Sequence, residues 1–250
     1  RPLLFAHIEK TGGTTVKAAV EARIPRDNIL IYEAEEDTVI RASETLVNHT
    51  SPLVNAVRAT IRKSPHLLPI RMTYLKLRDA HENGGKTSAS TLPNEFEVIY
   101  GNFKADRFDG VVDNPRLVTV FRDPLARTVS HFLQWRQTRG TAVLRDGLAY
   151  DSSTSFEEFA FSDAMQNFQS NTLGSKQLDD FEHVGVTEHL GKFLFTLDLV
   201  NEESTTLRLN SSPNRDTSDL AVLDSDVFQR DYEAANSRDY ELYFSALEQI

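Results

Sequence analysis

Leu3-Leu4-Phe5-Ala6-His7-Ile8-Glu9-Lys10-Thr11-Gly12-Gly13-Thr14-Thr15-Val16, near the start of the chain, is the stretch that decides the fold. An apolar run at residues 3–8 is short enough for one buried strand. A polar, glycine-rich turn follows it, and Val16, Val20 and Ile24 then recur at the spacing of a helix face. The stretch therefore predicts a strand, a glycine-rich loop and a helix in succession.

A loop of this kind is suited to holding a phosphate group. The amides of a first helical turn have no partner within the helix, and the helix dipole favours a negative charge beside them. Gly12 and Gly13 allow the backbone to approach a ligand closely, and Lys10 brings a positive charge. Either Thr14 or Thr15 can cap the helix or donate a hydroxyl. The nucleotide-triphosphate loop ends in Gly-Lys-Ser/Thr, whereas the lysine comes first here, so that motif does not match.

The stretch resembles the 5′-phosphosulfate loop of the carbohydrate-type sulfotransferases, enzymes that use 3′-phosphoadenosine-5′-phosphosulfate (PAPS). In many of them the loop reads His-Ile-Pro-Lys-Thr-Gly-Gly-Thr-Ser, and seven positions agree in order, with Glu9 for proline and Thr15 for serine. The resemblance implies a P-loop-like phosphate-binding strand, loop and helix, in which Lys10 also acts in catalysis. It implies cofactor contacts from Lys10, Thr11, Gly12, Gly13, Thr14 and Thr15.

A second block lies later in the chain. Residues 117–121 are the most strand-like run, apolar and rich in β-branched residues. The run ends at Arg122, and Asp123 and Pro124 then suit the N-cap and the first position of a helix that reaches about residue 139. Arg122 therefore leaves the carboxyl end of a strand, which is where open α/β sheets bind ligands.

Residues 122–130 also resemble the sulfotransferases, in which an Arg-Asp-Pro-x-x-Arg-x-x-Ser string binds the 3′-phosphate of the cofactor. The resemblance implies that Arg122 binds this phosphate through its planar donors and that Ser130 donates its hydroxyl. We interpret Arg127 as one half of a structural ion pair at the helix surface, with a phosphate contact as the alternative. His131 is expected to pack or to contact solvent rather than to act in catalysis.

Four later stretches resemble the family more weakly. Residues 167–173 are similar to its Asn-x-Gln-Thr helix, and residues 183–190 are similar to its Val-Gly-Val-Thr-Glu joint between a strand and a helix. Residues 209–215 resemble a loop that folds over the cofactor, which makes Arg215 a second candidate ligand of the 3′-phosphate. Residues 239–243 fit the closing helix, whose acidic face is expected to be solvated surface.

The whole pattern predicts a single α/β domain over residues 1–250, with a central parallel sheet flanked by helices. Further strands are expected at residues 28–32 and 97–101, and residues 36–62 show a loose helical stripe. Residues 81–90 are polar and rich in glycine and serine, which is typical of a surface loop.

The composition limits the partners and the compartment. The 250 residues carry 27 Lys and Arg against 37 Asp and Glu, a net charge of −10, which disfavours a surface for nucleic acid or a highly sulfated polymer. The chain has no cysteine, which excludes disulfides and thiolate chemistry, and no apolar stretch approaches a membrane span. We expect a soluble, cytoplasmic protein and leave its oligomeric state open. No signal peptide is visible, but a removed segment before Arg1 stays open because the chain does not begin with methionine.

The resemblance implies a sulfotransferase that moves a sulfonate from PAPS to a hydroxyl or amine by in-line displacement. The acceptor is expected to be a carbohydrate, a lipid headgroup or a small metabolite, the product is adenosine 3′,5′-bisphosphate (PAP), and no metal site is expected. Two alternatives stay open. One is a module that binds PAP or PAPS without transfer. The other is an ATP phosphotransferase, which needs a lysine at the end of the loop and an acidic magnesium ligand after a strand.

The residue that takes the proton of the acceptor is less well defined. In the uronyl-type relatives a Gly-His pair ends the strand before the 3′-phosphate block, whereas here Asn102 follows Gly101. An amide cannot accept a proton near neutral pH, so Asn102 is expected only to contact the substrate. Glu21 on the first helix and His81 in the polar loop are the two candidate bases.

Overall fold

A seven-stranded sheet runs through residues 1–34, 36–45, 87–138, 154–201 and 218–250, which are the residues that the structure, a computed structural model, describes. Its strands are β1 (Leu3–Ala6), β2 (Ile29–Glu33), β3 (Thr38–Arg41), β4 (Thr87–Ser88), β5 (Val98–Gly101), β6 (Arg116–Phe121) and β7 (His183–Val186). Their order across the sheet is β4-β3-β2-β5-β1-β6-β7. Five neighbouring strands are parallel to one another: β2, β5, β1, β6 and β7. At one edge of the sheet, β3 pairs antiparallel with β2, and β4 pairs antiparallel with β3. The predicted central sheet is confirmed, although it is parallel only in part, because β3 and β4 add an antiparallel edge.

One strand lies where the sequence pattern predicts a helix. Thr38–Arg41, within the predicted helical region at residues 36–62, form β3 and pair antiparallel with β2. Val39 and Ile40 are buried there. β-branched side chains favour an extended backbone when a neighbouring strand pairs with it. The helical prediction is therefore wrong for β3, and its part from residue 46 onward lies outside the described residues.

The helices of the described residues follow the local signals more closely. They are α1 (Gly13–Arg23), α2 (Pro124–Thr138), α3 (Phe156–Ala160), α4 (Phe168–Leu173), α5 (Leu190–Thr196), α6 (Asp226–Ala235) and α7 (Ser237–Glu248). Asp123 Oδ1 accepts a hydrogen bond from the Ala126 amide at 2.7 Å, which confirms the predicted N-cap of α2. The predicted joint between a strand and a helix at residues 183–190 is also found, as β7 followed by a short turn and α5. No helix among these is both long and apolar enough to cross a membrane.

Helices cover both faces of the sheet. Leu4 and Ala6 of β1 belong to one core, shared with α4, α7 and the segment after β5. Leu3 and Phe5 belong to a second core on the opposite face, shared with α1 and α5. β1 is therefore buried on both faces, in agreement with its unbroken apolar run. A third cluster, of aromatic side chains, packs α2, α3 and α6 together: Phe132, Phe156, Phe159, Phe228 and Tyr232.

The chain leaves two neighbouring strands toward opposite faces of the sheet. After β1 it enters α1 on one face, and after β6 it passes through α2 and reaches α4 on the other face. β1 and β6 are adjacent and parallel, so their carboxyl ends lie at the same edge. A divergence of this kind opens a crevice at that edge, which is the usual ligand site of open α/β sheets. We call the space between the carboxyl ends of β1 and β6 the crevice.

Candidate functional site

The loop between β1 and α1, at one side of the crevice, has an unusual backbone. Lys10 (φ 74°) and Gly12 (φ 87°) both adopt left-handed conformations, which are costly for a lysine. Thr11 between them is buried, and its Oγ1 donates a hydrogen bond to the Ile8 carbonyl at 2.8 Å. The Thr11 hydroxyl, predicted to contact the cofactor, is thus used to close the loop. Strained backbone that the surrounding contacts maintain is typical of ligand-binding sites.

The N-terminus of α1 opens onto the crevice. Its N-cap is Gly12; within the described residues no side chain caps it, and its first turn carries no acidic residue. Thr14 is exposed in this turn and Thr15 is buried, so neither takes the capping role that the sequence allows. The first-turn amides and the positive end of the helix dipole are therefore suited to an anion.

Gly13, the first residue of α1, packs tightly against two strands. A Cβ at this position would lie 2.2 Å from His7 Nε2 and 2.6 Å from the Tyr100 hydroxyl. Tyr100 donates a hydrogen bond to the Gly13 carbonyl at 3.0 Å, and the rings of His7 and Tyr100 stack with centroids 5.4 Å apart. Only glycine fits at this position, because His7 and Tyr100 lie so close to its backbone, and their packing fixes the start of α1.

Replacing Gly13 with alanine is expected to lower the free energy of unfolding by about 1–3 kcal/mol, because the new methyl group overlaps His7 and Tyr100. At an uncrowded helix position the same change would stabilise the protein by roughly 0.5–1 kcal/mol. Urea unfolding of the two proteins measures the difference. The exposed neighbour Thr14 supplies the control, since Thr14→Ala is expected to stay within about 0.5 kcal/mol of wild type. A Gly13→Ala protein as stable as wild type would contradict the close packing.

Two cationic residues meet at the loop. Lys10 Nζ donates a hydrogen bond to Gln134 Oε1 of α2 at 2.5 Å, and Arg122 Nη1 donates one to the Lys10 carbonyl at 3.2 Å. Arg122 is held through its backbone, because its amide donates to Gln169 Oε1 at 3.0 Å and its carbonyl accepts from Gln169 Nε2 at 2.9 Å. The structure thus brings Lys10 and Arg122, from the two blocks identified in the sequence, to one crevice.

The helix that follows Arg122 is more deeply buried than its sequence suggests. Ser130, the second predicted 3′-phosphate ligand, is buried on α2. The interpretation of Arg127 as a surface ion pair is wrong, since the residue is 0% exposed and its guanidinium lies 4.2 Å from the centre of the Phe168 ring. Burial lowers the pKa of Arg127, and the nearby acidic groups, Asp239 and Glu9 among them, oppose this shift. Arg127 is therefore a core residue beneath the crevice.

Asp239 on α7 also departs from expectation. The acidic face of this helix is predicted to be solvated, but Asp239 is 1% exposed. Its carboxylate accepts hydrogen bonds from the amides of Gln169 at 3.0 Å and Ser170 at 2.7 Å. Burial raises the pKa of Asp239, while these hydrogen bonds and the charge of Arg127 act in the opposite direction. Because Gln169 holds Arg122, Asp239 supports the crevice through α4.

A chain of polar contacts crosses the crevice through Glu9. Glu9 Oε1 accepts a hydrogen bond from Asn102 Nδ2 at 2.9 Å, and Glu9 Oε2 lies 3.5 Å from His131 Nε2. His131 Nδ1 lies 3.4 Å from Arg127 Nη1, and the His131 ring packs edge-on against Phe168. The packing expected of His131 is confirmed. The contacts of Glu9 were missed from the sequence, where the available signal is that Glu9 replaces the proline of the family motif.

Of the remaining predicted residues, Glu21 is described, and it does not join this cluster. Glu21 lies eight residues along α1 from Gly13, about 12 Å at the helical rise of roughly 1.5 Å per residue. Its Oε2 is 3.4 Å from Arg26 Nη1. The structure therefore does not bring Glu21 to the crevice. His81 and Arg215 lie outside the described residues.

Comparison with models of known protein families and with curated protein sequences finds no match to this chain. In the described ranges, no group of three or more His, Asp or Glu side chains is placed to hold a metal ion. The function of the crevice is therefore inferred from its own residues.

Proposed function

We propose that this protein is a PAPS-dependent sulfotransferase that transfers a sulfonate to a hydroxyl or amine of a carbohydrate, a lipid headgroup or a small metabolite. The observation that supports it best is the hydrogen bond from Arg122 to the Lys10 carbonyl, because it joins the two blocks that resemble the sulfotransferases at one crevice. A nucleotide with phosphate groups at both its 5′ and 3′ positions needs two such cationic sites close together.

The residues divide between the two ends of this cofactor. The uncapped N-terminus of α1 and the Lys10 ammonium suit the 5′-phosphosulfate, since both stabilise negative charge. The Arg122 guanidinium and the Ser130 hydroxyl suit the 3′-phosphate. During transfer the bond between sulfur and the bridging oxygen of the 5′-phosphate breaks, and the charge that builds on this oxygen is what Lys10 and the amides stabilise.

Binding of PAP is expected to be at least about tenfold tighter than binding of AMP, because charged hydrogen bonds to the 3′-phosphate contribute roughly 1.5–3 kcal/mol. Arg122→Ala should weaken PAP binding and leave AMP binding unchanged. Arg116→Ala is the matched control: Arg116 lies at the opposite end of β6, in an exposed ion pair with Glu182 at 2.6 Å. Calorimetry gives the six affinities, those of the wild type and the two variants for PAP and for AMP. Equal affinities of the wild type for PAP and AMP would rule out the 3′-phosphate site.

The two alternative functions are distinguished by direct assays. Tighter binding of ATP with Mg²⁺ than of PAP would favour a phosphotransferase. Tight PAP binding without transfer of labelled sulfate to any acceptor would favour a module that binds the nucleotide. The net charge of −10 makes neutral sugars and small metabolites the first acceptors to test, ahead of highly sulfated polymers.

A further inference from the structure

We propose that Glu9 is the general base of the transfer, the residue that takes the proton of the acceptor hydroxyl. The inference rests on the proposed function, because a base is needed only where an acceptor loses a proton as it attacks the sulfonate. It names a residue other than the two candidates that the sequence offers, Glu21 and His81.

Glu9 lies at the centre of the crevice. It directly precedes Lys10, the residue assigned to the leaving phosphate, and its contacts come from both sides of β1. Asn102 follows β5, the neighbour of β1 on one side, and His131 belongs to the helix after β6, the neighbour on the other side. The Glu9 side chain is 23% exposed, so a solute can reach its carboxylate although most of it is enclosed.

The partners of Glu9 orient its carboxylate as a hydrogen-bond acceptor. The Asn102 amide group donates to Oε1. The Arg127 guanidinium can only donate, so His131 Nδ1 facing it carries no proton, and the ring proton is on Nε2, which faces Glu9. In this tautomer His131 has no unprotonated nitrogen with which to take a proton from the molecule that receives the sulfonate. The group in the cluster that is able to take a proton is therefore the carboxylate.

Several positive charges surround this carboxylate. Arg127 approaches it from α2, and Lys10 is its neighbour in the chain. Arg122, from the end of β6, contacts the Lys10 carbonyl. These groups compensate the negative charge of Glu9 next to the phosphates of the cofactor, so that a carboxylate and a polyanion can occupy one crevice.

In the transfer, the acceptor proton passes to Glu9 and the leaving electron pair passes to PAP, so no further reactant is needed. The acceptor oxygen forms a bond to sulfur while its proton passes to a carboxylate oxygen of Glu9. The bond between sulfur and the bridging oxygen of the 5′-phosphate breaks, its electron pair stays on that oxygen, and PAP leaves. Glu9 then releases the proton to water.

Glu9→Gln and Glu9→Ala test this role, with Glu21→Gln as a matched control. Calorimetry with PAP first shows that each protein is folded and that its cofactor site is intact. Release of PAP and transfer of label from ³⁵S-PAPS are then measured with p-nitrophenyl glycosides of neutral and amino sugars. Water serves as the acceptor where no glycoside reacts. Because Glu9→Gln keeps the size of the side chain and an oxygen for Asn102, it decides the test if Glu9→Ala does not fold.

Both Glu9 variants are expected to bind PAP like the wild type and to lose turnover by about 100-fold or more, the usual effect of removing a general base. Added formate should restore turnover to Glu9→Ala, where the side chain leaves space, and not to Glu9→Gln. A merely structural role of Glu9 would give no such rescue. Glu21→Gln should keep full turnover.

The outcomes separate this inference from the proposed function. Failure of the wild type to bind PAP would overturn both the role of Glu9 and the sulfotransferase function. Tight PAP binding with undiminished transfer in the Glu9 variants would overturn the role of Glu9 and leave the sulfotransferase function standing. Tight PAP binding by a wild type that turns over no PAPS, even with water, would overturn the role of Glu9 and leave only a nucleotide-binding site.

Discussion

Replacing Lys10 with alanine is expected to lower turnover by about 100- to 1000-fold while changing the affinity for PAP far less. In the proposed transfer, charge builds on the leaving 5′-phosphate oxygen in the transition state, so a preorganised ammonium would contribute most at that moment. The left-handed backbone at Lys10 and the 2.5 Å hydrogen bond from Nζ to Gln134 fix the position of this side chain at the mouth of the crevice. Steady-state kinetics with PAPS and calorimetry with PAP give the two quantities.

Lys17 provides the control for this change. It lies on α1, a turn beyond the loop, with its Nζ 4.0 Å from Glu21 Oε1 and 37% of its side chain exposed. Lys17→Ala removes the same charge from the helix that follows the loop and is expected to leave turnover unchanged. An unchanged turnover number in Lys10→Ala, with only a raised KM for PAPS, would show that Lys10 contributes to binding and not to the transition state.

Strands and helix starts are predictable where short stretches of sequence determine them. β1 and β6 are apolar runs buried on both faces, and such runs form strands in most contexts. The start of α2 is set by Asp123 and Pro124, which act within one helical turn. β3 is not predictable in this way, because its four residues become a strand only when β2 covers them.

The residues of the site show the same difference between local sequence signals and contacts between distant segments. The loop and Arg122 can be found from the sequence because their residue types and spacing carry the signal. The burial of Arg127 and Asp239 cannot, because each depends on contacts between distant segments. Asp239 binds amides about 70 residues earlier in the chain, and Arg127 is covered by Phe168 of α4. Glu9 shows the same limit, since Asn102, its partner, is 93 residues away.

The stability of the protein is expected to fall as the pH drops from about 6.5 to about 4, in part because of His7. Its Nδ1 is buried without a hydrogen-bond partner in the described part of the chain, and its ring stacks on Tyr100. Burial, and to a smaller extent the charge of Lys10, lowers the pKa of His7 from 6.5 to about 4. The unfolded chain therefore takes up a proton in this range while the folded protein does not, and the free energy of unfolding declines with falling pH.

The contribution of His7 to this decline is on the order of 3 kcal/mol between the two pKa values, at about 1.4 kcal/mol per unit. Urea unfolding at several pH values measures it as the difference in slope between wild type and His7→Gln, a variant that does not titrate there. His183→Gln is the control, because His183 is a strand histidine that is substantially exposed, at 36% of its side chain. Equal slopes for wild type and His7→Gln would show that His7 titrates normally.

The Lys10→Ala variant tests the origin of the His7 shift as well. Because burial is the larger cause and the Lys10 charge the smaller, removing the ammonium should raise the pKa of His7 only part of the way toward 6.5. The loss of stability toward low pH should then be smaller than in the wild type, though still larger than in His7→Gln. A slope in Lys10→Ala equal to that of His7→Gln would mean that the charge, and not burial under the loop, keeps His7 neutral.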